Sequence, residues 1–178
     1  ATPASQDVKT SPLTDEQLDA IGSGPESSFK PAQFLVGCAQ SVGRQRDHNE
    51  DTMYCLYSML ADGGMDIPFG IFLVADGMGG HQYGEIASRT AARTISNYLV
   101  EKMYVPYLHP ETERSHESMQ EIMEQGVRIA HQAVAKNAPG GGTTLTTAVV
   151  VGEQITITQI GDSRAYFIYP DGRINAIT

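Results

Sequence analysis

Phe69-Gly-Ile-Phe-Leu-Val-Ala75 is an almost wholly apolar run, set between the Gly/Asp/Pro-rich stretch Ala61–Pro68 and Asp76-Gly-Met-Gly-Gly-His81. At this length, with turn residues at both ends, it reads as a buried strand rather than a helix. Upstream, Phe34–Gln40 and Thr52–Tyr57 read as further strands. Downstream, a helix is predicted from about Glu85 to Lys102, with Ala87, Ala91, Ile95, Tyr98 and Leu99 on one face and Pro106 and Pro110 ending it. A second helix, from about Glu113 to Lys136, carries Met119, Ile122, Met123, Val127, Ala130 and Val134 at three- and four-residue spacing, a core stripe. Pro139-Gly-Gly-Gly142 stops it. Two hairpins then follow: Thr146–Val151 with Ile155–Ile160 around Gly152-Glu-Gln154, and Ala165–Tyr169 with Arg173–Ile177 around Pro170-Asp-Gly172. Strands, two long helices, then strands again indicate an α+β fold with antiparallel sheets.

The 178 residues carry 21 acidic and 12 basic side chains, a net charge of −9. No basic footprint for nucleic acid is present. No apolar run is long enough to span a membrane, and Ala1–Thr10 lacks the basic and apolar parts of a signal peptide, as an already processed chain also would. Cys38 and Cys55 lack C-x-x-C spacing and read as buried thiols in a reducing cytosol, hence a cytoplasmic protein, with a pairing of the two as the alternative. Residues 1–31, with Pro3, Pro12, Pro25 and Pro31, read as a disordered tail or linker, and residues 32–178 as the folded part. Within the tail, Thr14-Asp-Glu-Gln17 has capping-box spacing before Leu18 and Ile21, a transient or docking helix.

Chemistry-bearing residues cluster in three places. Asp76 ends the buried strand, where an unpaired carboxylate is costly. Gly77, Gly79 and Gly80 follow, allowing close backbone approach. Asp76 and the Gly77 carbonyl together suit a hard cation such as Mg²⁺ or Mn²⁺; a strand-ending turn with Asp76 capping the next helix fits as well. No Lys-Ser/Thr follows the glycines, so this is no P-loop. Gly43-Arg-Gln-Arg-Asp-His-Asn-Glu-Asp51 gathers Glu50, Asp51, two arginines and a histidine. In an extended segment Glu50 and Asp51 point to opposite faces, so only one of them ligates directly. An arginine beside cations suits a phosphate, although a solvated charged face is the plainer account. Gly161-Asp-Ser-Arg164 is either a turn with an internal Asp162–Arg164 pair or the carrier of an outer cation ligand, Asp162. Gly142-Thr-Thr144 either starts a strand or offers hydroxyls to a phosphate.

Taken in order and at this spacing, G-x-x-R-x-x-N-E-D (Gly43–Asp51), V-A-D-G-M-G-G-H (Val74–His81) with Gly84-Glu85, G-T-T (Gly142–Thr144) and G-D-S-R (Gly161–Arg164) resemble the bacterial branch of the metal-dependent, type 2C Ser/Thr protein phosphatases. The resemblance runs from about Phe34 to the end of the chain. It implies a β-sandwich of two antiparallel sheets flanked by helices, with Mn²⁺ or Mg²⁺ as cofactors: two ions, and a third in bacterial members. Asp76 resembles the carboxylate that bridges both ions and Gly77 the carbonyl ligand. Glu50 and Asp51 resemble the acidic pair that ligates or holds metal-bound water. Arg46 resembles the arginine that grips the substrate phosphate, and Asp162 a ligand of the third ion. His81 is a candidate general acid, because the position directly after Asp-Gly is Met78. The implied reaction is hydrolysis of phosphoserine or phosphothreonine by a water bridging the metals, and the implied partners are phosphoproteins made by a Ser/Thr kinase in signal transduction. The family's S-D-G and D-N segments, which hold further metal ligands, are absent, so the domain reads as incomplete at its C-terminus, the remaining part lying elsewhere. The alternative is a non-catalytic regulatory or binding fragment of the same fold.

Overall fold

The computed structural model describes residues 14–16, 34–44, 48–61, 66–79, 82–109 and 117–178. The chain divides into two compact units, Ala1–Pro31 and Ala32–Thr178. In the first, Asp15 and Glu16 have helical backbone and are exposed; the rest of the capping-box segment lies outside the described residues.

In the second unit, β1 (Asp51–Ala61) and β2 (Asp66–Met78) pair antiparallel from Asp51↔Asp76 to Ala61↔Asp66. The other edge of β2 pairs with β3 (Gly142–Thr143) and β4 (Leu145–Val151), and β4 pairs with β5 (Gln154–Ile160). The sheet order is β1-β2-β4-β5, with β3 continuing beside β2. A separate two-stranded sheet joins β6 (Tyr166–Ile168) to β7 (Ile174–Ala176).

One face of the larger sheet carries both long helices. Phe69, Ile71, Leu73 and Ala75 alternate inward along β2 and meet Ile95 and Leu99 of α1 (Gln82–Leu99) and Ile122, Met123 and Ala130 of α3 (Met119–Asn137). Each large side chain so buried contributes about 1.5–3 kcal/mol relative to exposure. The intervening residues Phe72, Val74 and Asp76 point to the other face, where Val74 is 47% exposed.

Several boundaries differ from the expectations. Phe34–Gln40 forms no strand: the segment is held by side chains, with Phe34 edge-on to Phe72 at 5.7 Å and Gln40 Nε2 donating to the Asp51 carbonyl at 3.3 Å. Pro106 does not end the first helix. A π-helical turn at Val100–Tyr104, closed by Val105 N–H to the Val100 carbonyl, widens the backbone ahead of α2 (Val105–Leu108), where Pro106 sits in the first turn and needs no donor. The second helix starts at Met119 rather than near Glu113, because Ser118 and Glu121 form a reciprocal capping box. Neither cysteine is buried: Cys38 is exposed and Cys55 half-buried. Burial first, and the neighbouring Cys38 thiol second, push the Cys55 thiol above its ordinary pKa.

Candidate metal centre

Asp51 and Asp76 stand directly opposite each other on β1 and β2, and both are exposed. Residues opposed across a sheet project to the same face. The hydrogen bonding shows which kind of pair they form. Gly77 N–H donates to the Glu50 carbonyl at 3.3 Å, so Glu50/Gly77 is the hydrogen-bonded pair and Asp51/Asp76 the adjacent non-hydrogen-bonded one. Asp51 uses its own backbone groups on the side away from β2: its N–H donates to Asn49 Oδ1 at 2.9 Å and its carbonyl accepts from Gln40. Non-hydrogen-bonded pairs bring the Cα atoms closest, to about 4.5 Å. Two carboxylates so placed repel one another, and a cation between them would offset that repulsion. The donor set fits a hard divalent ion, which takes one or two carboxylates and completes its shell with other oxygens and water. Among the described residues no three His, Cys, Asp or Glu side chains gather as a ligand cluster, so further donors are required.

Glu50 takes the opposite face. It is 6% exposed, with Oε1 3.3 Å from His48 Nε2, and its carboxylate lies against Gly84 in the first turn of α1, the helix end that favours negative charge. A Cβ on Gly84 would sit 2.7 Å from Glu50 Oε2. Gly77 is wedged in the same contact: a Cβ there would overlap the Gly84 carbonyl oxygen and lie 2.6 Å from that of Glu50. Ser88, fully buried, fastens this corner with its hydroxyl 2.6 Å from the Glu50 carbonyl and 3.0 Å from Thr52 Oγ1.

On the other edge of β2, the Gly142-Thr-Thr144 hydroxyls are turned to protein rather than left open for a phosphate. Thr144 N–H donates to the Asp76 carbonyl at 2.9 Å, and Asp76 N–H donates to Thr144 Oγ1 at 3.0 Å. Thr143 Oγ1 lies within 3.0 Å of both the Asp76 and Thr144 carbonyls. Thr144 Oγ1 is also 2.7 Å from Ser163 Oγ, in the turn that carries Asp162. Asp162 is exposed. The anticipated Asp162–Arg164 pair does not form; Arg164 reaches the Thr178 carbonyl at 3.4 Å instead.

Asp51, Asp76 and Gly77 are thus brought together at one end of the β1–β2 ladder, and the Asp162 turn is tied to the same strand through Thr144. Asp76 lies inside β2 rather than capping a helix. Arg46 and His81 lie outside the described residues. The sequence reading missed Ser88, Gly84 as a contact for Glu50, and Ser163. Only Gly84 carried a signal, as a glycine in a helix start; the serines are typical of any polar turn or helix.

The protein phosphatase 2C family model matches residues 46–178. The serine/threonine phosphatase stp of Listeria welshimeri is 34% identical over 131 residues, covering 71% of this chain and 46% of that protein. The serine/threonine protein phosphatase PstP of Mycobacterium tuberculosis is 29% identical over 142 residues, covering 76% of this chain and 23% of that protein. Among solved structures, the catalytic domain of PstP in complex with two manganese ions superposes with a TM-score of 0.53 at 27% identity, over 76% of this chain and 51% of that one. The chain spans about half the length, or less, of the relatives it matches. With the family model spanning all four motifs from Arg46 onward, and a strand pair that opposes Asp51 to Asp76, the chain belongs to the protein phosphatase 2C family.

Proposed function

We propose that this chain is part of a metal-dependent phosphatase that hydrolyses phosphoserine and phosphothreonine in proteins. The observation that carries the reading is the Asp51/Asp76 pair: opposed carboxylates on the open face of a sheet whose other face is packed. Family membership and the names of the relatives support it.

Asp76 and Asp51 hold two divalent ions, Mn²⁺ or Mg²⁺, with the Gly77 carbonyl as a further ligand and Asp162 serving a third. Such ions supply an activated water and offset charge on the transferring phosphoryl group. Glu50 acts behind this set: its carbonyl receives the Gly77 amide, and its carboxylate seats the first turn of α1. Arg46, matched by motif, grips the phosphate with its planar fork, and His81 is a candidate donor to the leaving alkoxide. Neither cysteine is required as a nucleophile. The remaining metal ligands belong to the part of the domain that the relatives have and this chain does not span. The reading places the protein in the bacterial cytoplasm, reversing Ser/Thr kinases. Among the described residues no helix is long and apolar enough to cross a membrane.

The test is hydrolysis of a phosphothreonine peptide by the full-length gene product with and without Mn²⁺, beside Asp76→Ala. Turnover that needs Mn²⁺ and is lost in Asp76→Ala supports the reading. Activity that ignores both would sink it, and a protein that binds phosphopeptide without turnover would favour a regulatory role.

A further inference from the structure

We propose that Thr144 is a positioning residue that holds the Asp76 carboxylate and the Asp162 turn in fixed relation. The inference rests on the metal-binding reading of those two aspartates, but its geometry is independent of it.

The pairs Val74↔Thr146 and Gly77↔Thr143 put Asp76 in register with Thr144. In an ordinary antiparallel ladder such a pair exchanges two backbone hydrogen bonds. Here only one is kept, from Thr144 N–H to the Asp76 carbonyl at 2.9 Å. The other is replaced: Asp76 N–H donates to the Thr144 hydroxyl at 3.0 Å, while the displaced Thr144 carbonyl accepts from Thr143 Oγ1 at 2.9 Å. A side chain has taken over a backbone position in the ladder at the residue that carries the central carboxylate.

The same hydroxyl lies 2.7 Å from Ser163 Oγ, and the Thr144 methyl lies against Gly161. Gly161 has φ +89°, and a Cβ there would sit 2.8 Å from Thr144 Cγ2, so only glycine lets the turn close this tightly. Thr144 is 6% exposed, so water does not compete freely for these bonds. One buried side chain therefore sets the Asp76 backbone with one lone pair and the Gly161–Arg164 turn with the rest of its surface. Valine keeps the shape and loses the hydroxyl; serine keeps the hydroxyl and loses the methyl.

The experiment uses the full-length gene product as Thr144→Val, Thr144→Ser and Ser163→Ala, with Thr147→Val, three residues on in β4, as a control. Two readouts are taken: hydrogen exchange at the Asp76 amide without metal, and Mn²⁺ titration by calorimetry. Thr144→Val is expected to speed Asp76 exchange about five- to tenfold and to weaken Mn²⁺ binding about tenfold or more, as loss of a ligand's supporting partner does. Thr144→Ser restores the Asp76 exchange rate. Ser163→Ala leaves that rate unchanged and weakens only the weakest Mn²⁺ event. Wild-type exchange and binding in Thr144→Val would overturn the proposal. If Thr144→Val does not fold, fast Asp76 exchange in Thr144→Ser together with an unaltered Mn²⁺ profile in Ser163→Ala would overturn it. Absence of Mn²⁺ binding in the unmodified protein would instead defeat the metal reading, leaving the exchange arm to decide the role of Thr144.

Discussion

Asp51 and Asp76 occupy a non-hydrogen-bonded cross-strand position, opposed on the exposed face of the sheet. Like charges so placed destabilise a sheet by about 0.2–1 kcal/mol. Without divalent metal, Asp76→Asn in the full-length protein is therefore expected to be more stable than wild type by that amount, as read by urea unfolding. Monovalent salt should narrow the gap by screening. Equal or lower stability of Asp76→Asn in chelator would contradict net repulsion between the two carboxylates.

Gly77 is required by space rather than by an unusual backbone angle. Gly77→Ala drives a methyl into the Gly84 and Glu50 carbonyl oxygens and is expected to cost at least about 1–3 kcal/mol. Gly37→Ala, with nothing among the described residues within 4 Å of the added carbon, should change stability by no more than about 0.5 kcal/mol. Thermal unfolding of the two variants side by side checks the contrast.

The apolar run at Phe69–Ala75, the two helical stripes and the C-terminal hairpins were legible because each follows the period of its element. The ends were not. β2 runs on through Asp76-Gly77-Met78 because β1 and β3 supply partners there, and partners are not local information. Phe34–Gln40 has a strand's composition without a strand's ladder among the described residues. In the site, alternation along an extended chain was enough to separate Glu50 from Asp51. Thr144 was opaque for the opposite reason: a threonine before a strand looks like any other, and its role depends on Asp76, 68 residues away in the chain.

Thr147 lies in β4, fully buried, with a hydroxyl that finds no hydrogen-bond partner among the described residues. Removing an unsatisfied buried hydroxyl relieves its desolvation cost. Thr147→Val is expected to raise stability by about 1 kcal/mol, measured by urea unfolding; a loss of stability would point to an unseen partner for Oγ1.

The start of α3 should show a pH-dependent cap. The Ser118 N–H and then its hydroxyl hold the Glu121 carboxyl below its ordinary pKa. That stabilisation is complete above the ordinary glutamate range and is lost as pH falls through the lowered folded-state value. Ser118→Ala is expected to cost about 1 kcal/mol at neutral pH, and the deficit should shrink in acid. A deficit that grows on acidification would contradict the assignment.

Titration of Mn²⁺ into the metal-free full-length gene product, followed by calorimetry for wild type, Asp76→Asn and Asp51→Asn, tests the opposed carboxylates most directly. Saturable binding in wild type that is lost in Asp76→Asn and weakened at least about tenfold in Asp51→Asn is the predicted result. Binding of equal strength in all three proteins would contradict it.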